Sequence, residues 1–176
     1  MKPKSSRPIV LAHPANVRWP ALLAGSALLA LQLVHVPGAR AAEPGGIERH
    51  GESRILNSTI KVPANAETLY LSGVGASPKA DGSWGDMEQQ AIDIFTKFKA
   101  TLAEQGWSMS DIVQVRVFAV AGPDGKLDFE GFNRGYLGFF GTTENPTKPV
   151  RTFVQVAALV REGWLVEVEI QAARVP

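Results

Sequence analysis

The sequence predicts an α+β domain in which two helices cover one face of a β-sheet. Three observations indicate this fold class. The chain of 176 residues is 45% hydrophobic and 20% charged, which is typical of a globular domain and excludes disordered, collagen-like and coiled-coil chains. Alternation of polar and apolar residues predicts five strands, and apolar residues at steps of three and four predict two helices. Their order is strand, strand, helix, strand, helix, strand, strand.

Residues 1–41 have the organisation of a cleaved signal peptide. Basic residues are scattered through residues 1–19, an apolar run covers residues 20–36, and Ala39 and Ala41 supply the small residues that a signal peptidase requires. We expect cleavage after Ala41 and a periplasmic or secreted protein without stable membrane association. An uncleaved anchor is an alternative, although the apolar run is shorter than the roughly 20 residues of a membrane span. A misassigned upstream start is another.

The charge of the remaining chain disfavours a nucleic-acid partner. Five of the 18 basic residues and none of the 17 acidic residues lie in residues 1–41, so the rest carries 13 basic and 17 acidic residues, a net charge of −4. Such a domain lacks an evident electrostatic footprint for phosphate backbones. We expect residues 42–54 to form a polar tail in which His50 is a solvated side chain, and residues 55–176 to form the domain.

The first half of the domain contains two predicted strands and the clearest helix. Weak alternation over residues 55–62 and stronger alternation over residues 68–75 predict strands that we expect to form a hairpin. The helix covers residues 86–105, where Asp86 and Gln89 have the spacing of a capping box and Gly106 suits a C-terminal left-handed residue.

The second half contains one strand, one helix and two closing strands. Residues 111–120 alternate cleanly, and residues 127–140 predict the second helix. Residues 151–159 and 164–172 predict strands joined by residues 160–163. The helices leave the other face of the sheet to water or to another subunit, and oligomerisation is the natural inference.

The residues available for chemistry are few, because the chain has no cysteine and three histidines. No phosphate-binding glycine motif is present. An arginine fork at Arg151 suits a carboxylate, and Glu167 in an apolar strand could deprotonate a water molecule. If their strands are close, the two groups form a carboxylate receptor beside a water activator. A salt bridge or a solvated face is the simpler interpretation. By the same reasoning Asn133 is exposed, Tyr136 belongs to the core, and Ser72 ends a strand.

The order of several short motifs resembles the YjgF/RidA family of small trimeric reactive-intermediate deaminases over residues 53–173. The resemblance is carried by Leu71-Ser72-Gly73, Asp111–Phe118, Phe132-Asn133 with Tyr136, Pro149-Val150-Arg151-Thr152 and Val166-Glu167-Val168-Glu169. It implies a chorismate-mutase-like fold, a mixed sheet with two helices on one face. It also implies a barrel-like homotrimer with clefts between subunits. The implied activity is hydrolysis of 2-imino or enamino acids to 2-oxo acids and ammonia, without metal or cofactor.

The resemblance also implies roles for individual residues. Arg151 matches the arginine that grips the substrate carboxylate, and Glu167 matches the glutamate that positions the attacking water. The matching cleft residues are Ser72, Asn133, Tyr136 and the backbone at Phe153. We expect Arg151 and Glu167, from consecutive closing strands, to converge on one cavity between protomers. Side chains on opposite sides of the sheet, or an arginine buried in an intramolecular ion pair with no adjoining void, would end the case for this site.

The sequence also departs from the family pattern. The aromatic residue that many active members place on the first strand is replaced by Thr59 or a neighbour, and Val74-Gly75-Ala76 replaces the usual residues after Ser-Gly. The last hairpin has one extra residue, and the expected export is unusual for such an enzyme. A non-catalytic trimeric protein that binds small carboxylates is therefore an alternative. An endoribonuclease is a third interpretation, which the negative charge disfavours.

Overall fold

The computed structural model of the protein describes residues 45–176, so the predicted signal peptide and its cleavage site lie outside the described residues. Within that range, six strands and two α-helices alternate along the chain. They are β1 (Glu48–Glu52), β2 (Asn57–Lys61), β3 (Glu67–Gly75), α1 (Met87–Glu104), β4 (Ile112–Ala119), α2 (Phe129–Leu137), β5 (Val150–Gln155) and β6 (Val166–Arg174), with a short 3₁₀ helix at Met109–Asp111.

Four of the strands form one mixed sheet in the order β3-β6-β4-β5. The strands β3 and β4 are both antiparallel to β6, which lies between them, and β5 runs parallel to β4. The crossover from β4 to β5 passes through α2, which is how parallel strands are joined. The predicted α+β class, with two helices on one face of a mixed sheet, is confirmed.

The strands β1 and β2 form a separate two-stranded sheet, which corrects two predictions. The expected hairpin between the first two predicted strands is wrong, because β2 pairs with β1 and β3 pairs with β6. The expected polar tail is also wrong over part of its length, because β1 lies within it. The strand β1 has no apolar alternation to reveal it. The turn that joins β1 to β2 is instead stabilised by the hydroxyl of Ser53. This hydroxyl donates to the carbonyl of Leu56 and accepts from the amides of Ile55 and Leu56.

The two closing strands are present but are not neighbours. The strand β4 lies between β5 and β6, so the expected pairing of the last two strands is wrong. Both closing strands have β4 as a hydrogen-bonding partner, one parallel and one antiparallel. The alternation of a strand indicates which of its residues share a face, but it does not indicate which strand lies beside it.

The helix α1 begins and ends as the sequence predicts. The Asp86 side chain accepts from the Gln89 amide at 2.9 Å, and the Gln89 side chain accepts from the Asp86 amide at 3.2 Å, which completes the capping box. Gly106 follows the helix with a φ of 73°, a left-handed conformation that glycine adopts without strain. The second helix is shorter than predicted, at nine residues.

The hydrophobic core lies between the sheet and the two helices, on what we call the helix side of the sheet. It contains an aromatic cluster formed by Phe95, Phe98, Phe132, Tyr136 and Phe140. The opposite surface, the open face, carries alternate residues of the central strands. These are Gln114, Arg116 and Phe118 of β4 and Glu167, Glu169 and Gln171 of β6, paired in register. Neither described helix has the length and apolar character needed to span a membrane.

Candidate active site

Arg151 lies on the helix side of the sheet, against an aromatic surface of α2. Its guanidinium carbon is 4.7 Å from the ring centroid of Tyr136, 5.5 Å from that of Phe132 and 5.7 Å from that of Phe129. These residues share one face of α2 because they lie three, four and seven positions apart. A cation over aromatic faces is attracted by their quadrupoles, so the rings hold the guanidinium without neutralising its charge.

Several polar side-chain atoms of Arg151 and of α2 are buried without a partner among the described residues. They are Nη1 of Arg151, the hydroxyl of Tyr136 and both polar side-chain atoms of Asn133. Asn133 is 2% exposed, so the expectation that it is exposed is wrong, whereas Tyr136 belongs to the core as predicted. Asn133 is buried because it lies four positions after Phe129 and three before Tyr136, on the same face of α2 as both. Buried polar groups nearly always have partners, so this cluster has donors and acceptors ready for one.

The burial of this cluster shifts the ionisation of two of its members. Burial lowers the pKa of the Arg151 guanidinium below its ordinary value, and burial raises the pKa of the Tyr136 hydroxyl well above its usual range. Arginine stays protonated at physiological pH despite such a shift, and the tyrosine stays neutral. The cluster therefore offers one half-buried cation, one hydroxyl and one amide.

Phe153 belongs to the same side of the sheet as Arg151, two residues further along β5. Its ring packs edge-on against Phe129 at 4.9 Å and against Phe132 at 5.1 Å between centroids. These contacts fix the position of β5 relative to α2. The family resemblance assigns the backbone at Phe153 to the cleft. The ring contacts of Phe153 therefore fix this backbone and the neighbouring Arg151 of the same strand against α2.

Glu167 lies on the open face, next to a bulge in β3. The pairing of β3 with β6 shifts register between Leu71 and Val74, so that Ser72 and Gly73 together oppose a single residue, Glu169. Ser72 is exposed there, and the prediction that it ends a strand is wrong, because β3 continues through the bulge to Gly75. Glu169 pairs with Arg116 at 2.7 Å, whereas the side chain of Glu167 has no hydrogen bond or salt bridge to residues 45–176.

One protomer does not bring Arg151 and Glu167 together. Arg151 pairs with Val115 and Glu167 pairs with Phe118 on β4, and these two residues point to opposite sides of the sheet. The expectation that the consecutive closing strands bring the two groups together is therefore wrong for a single chain, and the opposite-sides condition rules out a site formed by one chain alone. The physical reason is that β4 lies between β5 and β6. The two residues of β4 that pair with Arg151 and Glu167 are three positions apart, and an odd separation along a strand puts side chains on opposite faces.

The sequence reasoning did not assign a role to two residues near the candidate groups. Phe129 forms part of the surface under Arg151, and Gly73 leaves the space that the Glu167 carboxylate occupies. The spacing of Phe129 from Phe132 and Tyr136 could have indicated the first. The motif Leu71-Ser72-Gly73 contained the second, but only the fold shows what lies over its glycine.

Comparison with known proteins assigns the chain to a family. The family model described as Endoribonuclease L-PSP matches residues 57–174. A RutC family protein from Leuconostoc mesenteroides subsp. cremoris is 38% identical over 112 residues, which cover 62% of this chain and 82% of that protein.

Solved structures resemble the fold. A Rid-family protein of unknown function from Yersinia pestis, YyfB, has 21% identity and a TM-score of 0.54 over 68% of this chain and 86% of its own. A putative endoribonuclease from Thermotoga maritima has 27% identity and a TM-score of 0.51 over 72% of this chain and 98% of its own. The motifs, the fold and the match over residues 57–174 together show that the chain belongs to the Endoribonuclease L-PSP family, that of the YjgF/RidA proteins.

Proposed function

We propose that the protein hydrolyses small reactive 2-imino or enamino acids to 2-oxo acids and ammonia. In this proposal Arg151 holds the substrate carboxylate and Glu167 positions the water, with Ser72, Asn133, Tyr136 and the backbone at Phe153 lining the cleft. No metal or cofactor takes part. We also propose that the protein acts in the periplasm or outside the cell after removal of residues 1–41.

The observation that carries the proposal is the buried, unpartnered polar cluster around Arg151. Nη1 of Arg151 has no partner among the described residues, nor do the polar atoms of Asn133 and Tyr136. A small carboxylate provides two acceptor oxygens and a negative charge, which match an arginine fork and adjacent donors. A ligand of this type removes the free-energy cost of leaving those groups buried and unsatisfied.

The chemistry asks little of the protein beyond positioning. The water oxygen adds to the carbon of the C=N bond while Glu167 accepts one water proton. Glu167 passes that proton to the nitrogen. The second water proton, now on the hydroxyl of the tetrahedral adduct, follows through Glu167 as the carbon–nitrogen bond breaks, so the nitrogen leaves as ammonia. The carbon keeps the water oxygen as the new carbonyl. Holding the carboxylate and the water in a productive geometry lowers the entropic part of the barrier.

The proposal requires two protomers for each cleft. Because Arg151 and Glu167 lie on opposite sides of the sheet in one chain, the Glu167 that serves a given Arg151 comes from a neighbouring copy. The position of β5 at the edge of the sheet supports this arrangement, since a second copy can approach that edge. We propose a closed homotrimer in which each copy contributes Arg151 to one cleft and Glu167 to the next.

A non-catalytic carboxylate-binding protein is the second candidate. It is favoured by the same register, because the cluster of Arg151, Asn133 and Tyr136 is formed within one chain and needs no contribution from Glu167. A binding protein would retain affinity for small 2-oxo acids without accelerating imine hydrolysis.

An assay that generates 2-iminopropanoate or 2-iminobutanoate with an amino-acid oxidase distinguishes these candidates. We expect the purified protein to accelerate oxo-acid release and Arg151→Ala to lower kcat/KM by at least about 100-fold, since the variant lacks the carboxylate clamp. Arg134→Ala is the matched control, because Arg134 lies beside Asn133 on α2 but forms an exposed ion pair with Glu88. It should change kcat/KM by less than about twofold.

Two further measurements complete this test. Light scattering should give three times the mass of one chain, and a monomer at micromolar concentration would contradict the shared cleft. Saturable binding of pyruvate without any acceleration of imine hydrolysis would favour the binding protein. Cleavage of a single-stranded RNA, abolished in Arg151→Ala, would instead favour the endoribonuclease.

A further inference from the structure

The carboxylate of Glu167 lies in a space that exists because residue 73 is glycine. A Cβ atom built on Gly73 would overlap Oε1 of Glu167 and would lie 3.1 Å from its Cδ and 3.2 Å from its Cγ. Its φ is not in the left-handed region, so a side chain is excluded by the carboxylate and not by backbone strain.

The bulge in β3 places this space on the open face. Ser72 and Gly73 are the two residues that oppose Glu169, and a bulge of this kind turns the local backbone relative to the partner strand. Residue 73 consequently faces Glu167, which lies two residues before Glu169 on β6. Without the bulge, the regular alternation of β3 would direct residue 73 to the other side of the sheet.

On the other side of β6 from this space lies β4, which carries an arginine on the open face. Arg116 lies on β4 opposite Glu169 and binds it at 2.7 Å, and Glu167 is diagonal to Arg116 across the same pair of strands. A long side chain in a diagonal position is within reach. A carboxylate displaced from the β3 side of β6 would move toward β4 and Arg116.

We propose that Gly73 is a positioning residue for Glu167. Because it has no Cβ atom, it leaves room for the carboxylate over the bulge of β3. There the carboxylate lies away from Arg116 and is free to bind a water molecule. This inference rests on the proposed function, in which Glu167 positions the attacking water. It adds a residue that touches neither substrate nor water and acts only through Glu167.

Gly75 provides a matched control for this inference. It lies two residues further along β3, where it is the register partner of Glu167, and the three atoms nearest to a Cβ atom built on it all belong to the ring of Trp164. Gly73→Ala and Gly75→Ala therefore introduce the same methyl group on the same face of the same strand. They differ in the side chain that must move.

The first measurement is steady-state kinetics with the imine assay. We expect Gly73→Ala to lower kcat by about 100-fold, the effect of displacing a catalytic group by roughly 1 Å, while KM changes less than about threefold because Arg151 is untouched. A kcat within about twofold of the unmodified protein, in a folded Gly73→Ala variant, would overturn the inference.

The second measurement is rescue by a shorter side chain. Glu167→Asp withdraws the carboxylate by one methylene, so Gly73→Ala should cause little further loss in that background. The double variant should have a kcat within about threefold of Glu167→Asp alone, whereas Gly75→Ala combined with Glu167→Asp should show multiplied losses. Multiplied losses for both glycines would mean that Gly73 has only a general structural role, and would overturn the inference.

The third measurement does not depend on activity. Carboxyl carbons of glutamate are labelled with ¹³C, and the Glu167 signal is assigned by its loss in Glu167→Gln. We expect that signal to shift in Gly73→Ala and to stay in place in Gly75→Ala; an unmoved signal in Gly73→Ala overturns the inference. If the unmodified protein hydrolyses no imine, the proposed function fails, and this measurement still decides whether Gly73 positions Glu167.

Discussion

On the helix side of the sheet Arg151 lies against three aromatic rings of α2, whereas on the open face Glu167 lies in the space that Gly73 leaves empty. The first group is held by close packing on several sides. The second is half-buried and has no hydrogen bond or salt bridge to the described residues.

This difference indicates how the two groups can serve one site. Packing around the guanidinium lowers its entropy before a ligand binds, which is what a rigid carboxylate clamp requires. A half-buried carboxylate next to a glycine can instead keep contact with water, which is what a water activator requires. We therefore expect substitutions in the aromatic core beneath Arg151 to act mainly on stability and those near Glu167 mainly on turnover.

The largest expected effect on stability is at Phe95, the centre of the aromatic cluster. Its ring lies 5.5 Å from Phe140 and 5.7 Å from Tyr136 between centroids, and it is fully buried. Phe95→Ala should lower the free energy of unfolding by about 3–5 kcal/mol, measured by urea denaturation, because it leaves a cavity in the core. Ile92→Ala, at an exposed position of α1, should cost less than about 1 kcal/mol. Equal losses would contradict a core centred on Phe95.

An intermediate effect is expected at Gln90, which links the helix side to the chain leading into Glu167. Its buried side chain donates to the carbonyls of Gly85 and Gly163 and accepts from the amide of Leu165, at 2.8–3.0 Å. Gln90→Met conserves volume and removes all three bonds, so it should lower the free energy of unfolding by about 2–3 kcal/mol.

The control for this prediction is Gln105→Met. Gln105 is an exposed glutamine at the end of α1, and its substitution should change stability by less than about 0.5 kcal/mol. Urea denaturation checks both variants. A Gln90→Met variant as stable as the control would mean that the three bonds contribute nothing net.

The smallest expected effect has the opposite sign. The Tyr136 hydroxyl is buried without a partner among the described residues, so Tyr136→Phe should raise the free energy of unfolding by about 1 kcal/mol. The same change should weaken binding of pyruvate, measured by calorimetry, because the variant lacks the hydroxyl that would donate a hydrogen bond to the ligand. A destabilised variant would show that the hydroxyl already has a partner in the folded protein.

The pH dependence of stability provides an independent check on this tyrosine. Burial raises the pKa of Tyr136 in the folded state, so the folded protein keeps a proton that the unfolded chain releases near pH 10. The free energy of unfolding should therefore fall as pH rises above about 10, by up to about 1.4 kcal/mol per unit from this group. Denaturation between pH 9 and 11 should show a smaller decline for Tyr136→Phe, and identical slopes would contradict this assignment.

Local features of the sequence determined the helix α1, the strand β4 and the fold class. The Asp86–Gln89 capping box and the alternation of β4 are interactions between residues a few positions apart, so their patterns are visible in the chain itself. The family motifs likewise identified Arg151 and Glu167 as the groups to examine, since such motifs are short and lie in order.

Only the tertiary structure decided which strands are neighbours and which side of the sheet each group occupies. The insertion of β4 between β5 and β6 and the register of both pairings place Arg151 and Glu167 on opposite sides. The burial of Asn133 and the space over Gly73 depend on the same long-range pairing. Strand order and register arise from hydrogen bonds between residues far apart in the chain, and a pattern with a period of two is equally compatible with either face.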